Sequence, residues 1–91
     1  MAELLFSPES DRQLTVLAAD TGRTWLYERV NDALDAIEDD PDPGDARLRR
    51  RRYHYPPLWG IVVPAEAVDW LILWSETDLG PIVHYIGKDL A

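Results

Sequence analysis

The sequence predicts an α+β fold: an N-terminal strand, then a helical hairpin packed on a mainly antiparallel, twisted sheet of about four to five strands. Three observations predict it. Leu26, Val30, Ala33, Leu34 and Ile37 repeat at helical spacing, with Glu28, Arg29, Asp32, Asp35 and Glu38 on the outer side. Every later apolar run is short, β-rich and bounded by turn residues. Helices and strands are segregated along the chain rather than alternating, which argues against a parallel βαβ sheet. At 91 residues, without a repeat or long linker, the chain is read as one domain spanning residues 1–91.

The elements follow in order. Glu3 to Phe6 is a short apolar strand. Ser7-Pro8 starts a helix, with serine as N-cap and proline at the first helical position, where a missing N–H costs nothing. Glu9 and Asp11 suit the positive end of that helix, and Leu14, Leu17 and Ala18 mark its inner side. Asp20-Thr21-Gly22 ends it, and Thr24 is the expected cap of the second helix. Asp39 to Asp45, with two prolines and a glycine, is a loop. Strands are then expected at Arg47–Tyr55, Leu58–Val63, Val68–Trp74 and Ile82–Ile86, the last entered through the turn Asp78-Leu79-Gly80-Pro81. In VDWLILW, Trp70, Ile72 and Trp74 share one face and Leu71 and Leu73 the other. A strand apolar on both sides belongs in the middle of a sheet. Trp25, Trp59, Trp70 and Trp74 are all core candidates.

The formal net charge is −8, but it is unevenly placed. Residues 1–46 hold twelve acids and three bases, 47–63 hold five arginines and no acid, and 64–91 hold five acids and one lysine. With a screening length of about 8 Å, a local cluster of five positive charges attracts a polyanion despite distant acids. There is no cysteine, hence no disulfide or thiolate site. The start, MAELLFSPES, is too polar for a secretory leader, and no apolar run approaches the roughly 18 residues of a membrane span. The expectation is a soluble, cytoplasmic protein that does not engage a membrane.

The stretch RLRRRRYHYPPLW carries the chemistry. As a solvated edge strand, its charges would discourage edge-to-edge pairing. Yet every base in it is arginine, whose planar fork fits phosphate oxygens and stacks on bases. In a regular strand Arg47, Arg49 and Arg51 alternate with Leu48, Arg50 and Arg52. One side therefore carries Tyr53 and Tyr55 and the other His54. Guanidinium groups beside rings are the combination that holds single-stranded RNA. Trp59 offers another ring, although burial suits it better. Two histidines without cysteine at metal-ligand spacing point to no metal and no cofactor. No Walker, Rossmann, nucleophile-elbow or calcium-loop motif occurs.

In their order along the chain, Leu4-Leu5-Phe6-Ser7, the helical hairpin, Arg47 to Tyr53, Asp69 to Trp74 and Val83 to Leu90 resemble the RelE/ParE superfamily of bacterial toxins, specifically its RelE-like branch. The resemblance implies the toxin of a type II toxin–antitoxin pair, an endoribonuclease that inhibits translation by cleaving messenger RNA, commonly on the ribosome. In ParE-like relatives it implies instead a noncatalytic toxin that captures a protein target such as DNA gyrase. A small α+β interaction domain with a charged edge is the plainer alternative. The resemblance further implies a cognate antitoxin that wraps the toxin and forms a hetero-oligomer with it. The charge map places its carboxylates or apolar side chains near Arg49 to Arg52, away from the acidic outer side of the second helix. Family RNases carry bases on the strand after the hairpin, matched by Arg47 and Arg49 to Arg52, and some end in a His-Tyr pair, matched in type by His84-Tyr85. Lys88 matches a basic residue after the glycine. The pattern departs at Asp89, where a second base is usual, and at Leu58 to Ile61, where an arginine is usual.

On this reading the ribose 2′-oxygen attacks the adjacent phosphate, with no metal required. Arg50 or Arg52 stabilises the phosphorane charge, His84 serves as acid or base, and Tyr85 positions or donates a proton. Arg47, Arg49, Arg51, Tyr53, His54, Tyr55, Trp59 and Lys88 hold the RNA. In a regular strand His84 and Tyr85 face opposite ways, so only one of them would reach the site.

Overall fold

The structure is a computed structural model that describes residues 4–39, 50–54, 57–65 and 67–89, with the backbone alone for 50–54 and 57. It is α+β, as the sequence predicts. Strand β1 (Leu5–Phe6) is followed by α1 (Pro8–Ala19), a 3-10 turn (Thr21–Arg23) and α2 (Thr24–Asp39). Strands β2 (Arg50–His54), β3 (Pro57–Val63), β4 (Trp70–Thr77) and β5 (Gly80–Lys88) complete the chain. They form one sheet in the order β1-β5-β4-β3-β2, parallel between β1 and β5 and antiparallel elsewhere. Among the described residues no helix is long and apolar enough to cross a membrane.

Both helices lie on one face. Leu26, Val30, Leu34 and Ile37 of α2 are buried with Leu17 of α1 against Ile61, Val63, Ile72, Trp74, Val83 and Ile86 of the sheet. Burial of each such aliphatic side chain contributes roughly 1.5–3 kcal/mol, so this layer holds the fold together. Strand β4 is central, as its two apolar sides require, and Trp74 is fully buried in it. It begins at Trp70 rather than Val68, because Val68 is exposed in a bend. At its other end β4 turns through Asp78-Leu79 into Gly80, whose φ of 123° is a conformation glycine tolerates and other residues resist.

Helix α1 packs differently from what its apolar spacing suggests. Ser7 is its N-cap, accepting from the Ser10 N–H at 3.1 Å, but Ala18 is exposed. Its inner stripe is Ser10, Gln13, Leu14 and Leu17, half of it polar. The reason is the strand beneath. Strand β5 runs nine residues and, among the described residues, β1 pairs with it only at Ile82 and Val83. The Val83 carbonyl accepts from the Ser7 N–H at 2.9 Å and the Ser10 hydroxyl at 2.8 Å, and the Ile86 N–H donates to the Gln13 side-chain oxygen at 2.7 Å. The backbone of the N-cap Ser7 and the side chains of Ser10 and Gln13 in α1 thus satisfy groups of this edge beyond β1.

Thr24 is not the cap of the second helix. The 3-10 turn runs directly into α2, and Asp20 caps that turn, accepting from the Gly22 N–H at 3.1 Å. Asp39, expected in the loop, is the last residue of α2, and the rest of that loop lies outside the described residues.

The Gln13 contact gives a direct test. Gln13→Leu removes the acceptor of the Ile86 N–H without opening a void, and the protein is expected to lose about 1–3 kcal/mol in urea unfolding. An unchanged midpoint would show that the Ile86 N–H is satisfied without Gln13.

Candidate functional site

The site is built by one irregularity. Ile72 pairs with Ile86 and Leu73 with Tyr85, but Trp74 pairs with Val83, leaving His84 as an extra residue in β5. This β-bulge breaks the alternation of a strand. Val83 and Ile86 are buried under the helices, while His84 and Tyr85, between them, are both half-buried. Both therefore stand on the sheet face away from the helices. The expectation that they face opposite ways fails, because the two-residue period fails at the bulge.

On that open face His84 Nε2 lies 2.8 Å from the Ser75 hydroxyl, with neither group fully exposed. Either Ser75 donates to Nε2, leaving the ring proton on Nδ1, or Nε2–H donates to Ser75 and Nδ1 keeps its lone pair. The Tyr85 hydroxyl donates to the Lys88 carbonyl at 2.9 Å, which draws the ring back over Gly87. A Cβ on Gly87 would lie 2.7 Å from the Tyr85 hydroxyl oxygen and 2.8 Å from its Cζ. The ring occupies the space a side chain would need, so this glycine is required by close approach. Leu71, across the ladder from Gly87, is buried on the same face. Val62, Leu73 and Ile82 are half-buried beside these groups.

The register locates the arginine strand relative to this centre. One row crosses the sheet as Tyr85, Leu73, Gly60 and Arg51, a second as Ile86, Ile72, Ile61 and Arg50, and a third as Val83, Trp74, Trp59 and Arg52. Arg51 thus shares the row of Tyr85, whereas Arg50 and Arg52 share rows whose described members belong to the helix-covered core. Tyr53 pairs with Leu58 and His54 with Pro57. Three strand spacings separate β5 from β2, about 14 Å at ~4.8 Å each. The fold therefore brings His84, Ser75 and Tyr85 together and keeps the arginine strand one sheet-width away. Arg47, Arg49 and Tyr55 lie outside the described residues.

Two other expected RNA contacts sit elsewhere. Trp59 is half-buried and packs against the helix-side core. The Lys88 side chain lines a cleft with Arg23, Trp25 and Trp70. Trp70, its ladder partner, packs against the helix-side core, on the far side of the sheet from His84.

Ser75 had no signal in the sequence, since a serine near a strand end says nothing until the bulge turns His84 toward it. Gly87 did have one: a glycine inside a strand run marks a close approach.

No family model matches the chain, and neither a curated protein nor a solved structure matches it.

Gly87→Ala is expected to displace the Tyr85 ring and break its bond to the Lys88 carbonyl. In NMR spectra the largest shifts should fall on Tyr85, Leu71 and Lys88, with a stability loss larger than that of Tyr85→Phe. If the Tyr85 ring signals stay in place, the close approach does not hold Tyr85.

Proposed function

We propose that this chain is a RelE-type toxin that cleaves messenger RNA through attack of the ribose 2′-oxygen and so inhibits translation. The observation that carries the reading is the bulge, which sets His84 and Tyr85 side by side on one open sheet face, with Ser75 holding the imidazole. An imidazole on an accessible surface, oriented by a third group through its far nitrogen, is the arrangement a general base needs.

In this mechanism Nε2–H donates to Ser75, and Nδ1 takes the proton from the 2′-hydroxyl. The 2′-oxygen bonds to phosphorus, and the phosphorus–5′-oxygen bond breaks. Tyr85 releases the Lys88 carbonyl, gives its hydroxyl proton to the leaving 5′-oxygen and regains one from the imidazolium through solvent. The products are a 2′,3′-cyclic phosphate and a 5′-hydroxyl. The nucleophile belongs to the substrate, so no activated water is required. At about 14 Å, Arg51, in the row of Tyr85, holds a phosphate flanking the scissile one rather than the phosphorane itself. Arg50 and Arg52, in the rows of the helix-covered core, are set aside as stabilisers of the phosphorane.

A second reading, a noncatalytic toxin that captures a protein, is favoured by the apolar character of the same face at Val62, Leu73 and Ile82. The two part at His84. On the RNA reading, purified protein incubated with RNA, with and without ribosomes, cleaves in EDTA and leaves cyclic or 3′-phosphate ends. His84→Ala lowers the rate by about 10²-fold or more. Ser75→Ala lowers it less, and Ser75→Thr restores it. Absence of cleavage, together with growth arrest that survives His84→Ala, would establish the protein-binding reading instead.

Binding gives an independent check. Each arginine of β2 replaced by alanine should flatten the log–log salt dependence of RNA affinity by roughly 0.7 per lost phosphate contact. Affinity insensitive to salt would remove the arginine strand from the RNA surface.

A further inference from the structure

Outside the arginine run the chain has only four basic residues, Arg12, Arg23, Arg29 and Lys88. The fold gathers three of them. Arg23 and Lys88 line a cleft of about 150 Å³ together with Trp25, Leu26, Val68 and Trp70. The Arg29 guanidinium lies 5.4 Å from the centre of the Trp25 ring. Arg23, Trp25, Leu26 and Arg29 are near in sequence, but Trp70 opens β4 and Lys88 ends β5, so the fold completes the set. In a protein of net charge −8 this is a second gathering of cations, separate from the arginine strand, and the charged residues lining its cleft are both basic.

From this convergence we propose that the Trp25–Trp70 cleft docks an acidic peptide segment of a partner protein. The segment inserts one aliphatic or aromatic side chain between the indoles and lays flanking carboxylates on Arg23 and Lys88. Size selects the occupant. Small-molecule sites run to roughly 300–1,000 Å³, whereas an apolar cavity of about 150 Å³ holds a group the size of benzene. A cleft of this size fits one side chain.

The charges around it select the flanks. Arg23 is half-exposed and faces Asp20 at 3.6 Å, an exposed pair of the weak kind that a better-placed carboxylate can displace. Lys88 is exposed. Arg29 donates to the Pro64 carbonyl at 3.2 Å, which keeps its charge beside Trp25. Of the nearby acids, the Asp69 side chain accepts from the Ala65 N–H, Asp32 lines the neighbouring groove with Arg29, and Asp89, next to Lys88, donates its backbone N–H to the Asp69 carbonyl at 2.7 Å. RNA suits the cleft less well. Trp25 and Trp70 are half-buried, and Glu28, Asp32 and Asp35 are exposed along α2, where they repel a polyphosphate. The cleft and His84 lie on opposite sides of the sheet, so this inference stands apart from the RNA reading.

The test uses the full chain labelled with ¹⁵N. Its four tryptophan indole signals are assigned by single Trp→Phe variants and followed during titration with the capped peptide acetyl-Asp-Glu-Leu-Glu-Asp-amide. The Trp25 and Trp70 signals should move saturably while that of the fully buried Trp74 stays fixed. Replacing the peptide's leucine by glycine, or its acids by their amides, should abolish the effect. The Arg23→Ala, Lys88→Ala double variant should bind about tenfold more weakly or worse, and Arg23→Lys with Lys88→Arg should retain binding. Circular dichroism confirms that the variants fold. The proposal is overturned if the two signals do not respond, if the amide peptide binds equally, or if the double variant binds like the parent. It is equally overturned if the shifts fall on the Arg50–His54 amides, or if an RNA oligomer moves the two indoles and the peptide does not.

Discussion

Strand β5 is nine residues long, and the strand beside it on one edge is two. The rest of the molecule depends on how that uncovered edge is satisfied. An unpaired row of N–H and C=O groups next to the core would cost several hydrogen bonds or invite a second chain to pair. The protein answers with α1: Ser7, Ser10 and Gln13 take the place of a neighbouring strand at Val83 and Ile86. This ties the first helix to the last strand and closes the chain on itself. It also explains why α1 has so weak an apolar stripe. A helix lying over a strand edge serves better with hydroxyl and amide groups than with leucines.

The same stretch of β5 holds the bulge. The residues anchored by α1, Val83 and Ile86, bracket His84 and Tyr85. With both flanking residues buried under the helices, two residues must fit where a regular strand fits an even alternation, and the surplus turns outward. Burial on one face thus sets the chemistry of the other. Ser75 receives the imidazole because it is on β4 at the register where the shift occurs, and Gly87 leaves room for the Tyr85 ring two residues further on. Neither face alone accounts for the placement. The helix-side core supplies the constraint, and the open side shows its result.

Charge follows a similar division. Acids occupy the outer surface of α2, the arginine strand forms the far edge of the sheet, and a smaller set of cations surrounds the Trp25–Trp70 cleft. The strongest positive segment and the His84 centre are separated by two intervening strands. A charge map drawn along the chain cannot show this, because residues 50–54 and 84–85 are joined by register rather than by sequence distance. The net charge of −8 describes none of these local surfaces.

The sequence by itself determined the α+β class, the helical hairpin, the central place of β4 and the identity of the α2 stripe. Each rests on a local period of two or 3.6 residues, and a strand apolar on both sides or a helix with one apolar side has few places to go. The His-Tyr pair and the arginine run were also legible as residue types. Only the tertiary structure decided which face His84 takes, that Ser75 meets it, that Lys88 turns to the helix side with Arg23, and that α1 packs through Ser10 and Gln13. Periodicity assumes a regular strand and an apolar interface. A bulge arises from register between strands, and an edge-capping helix arises from a length mismatch between strands, neither of which is a property of any one segment.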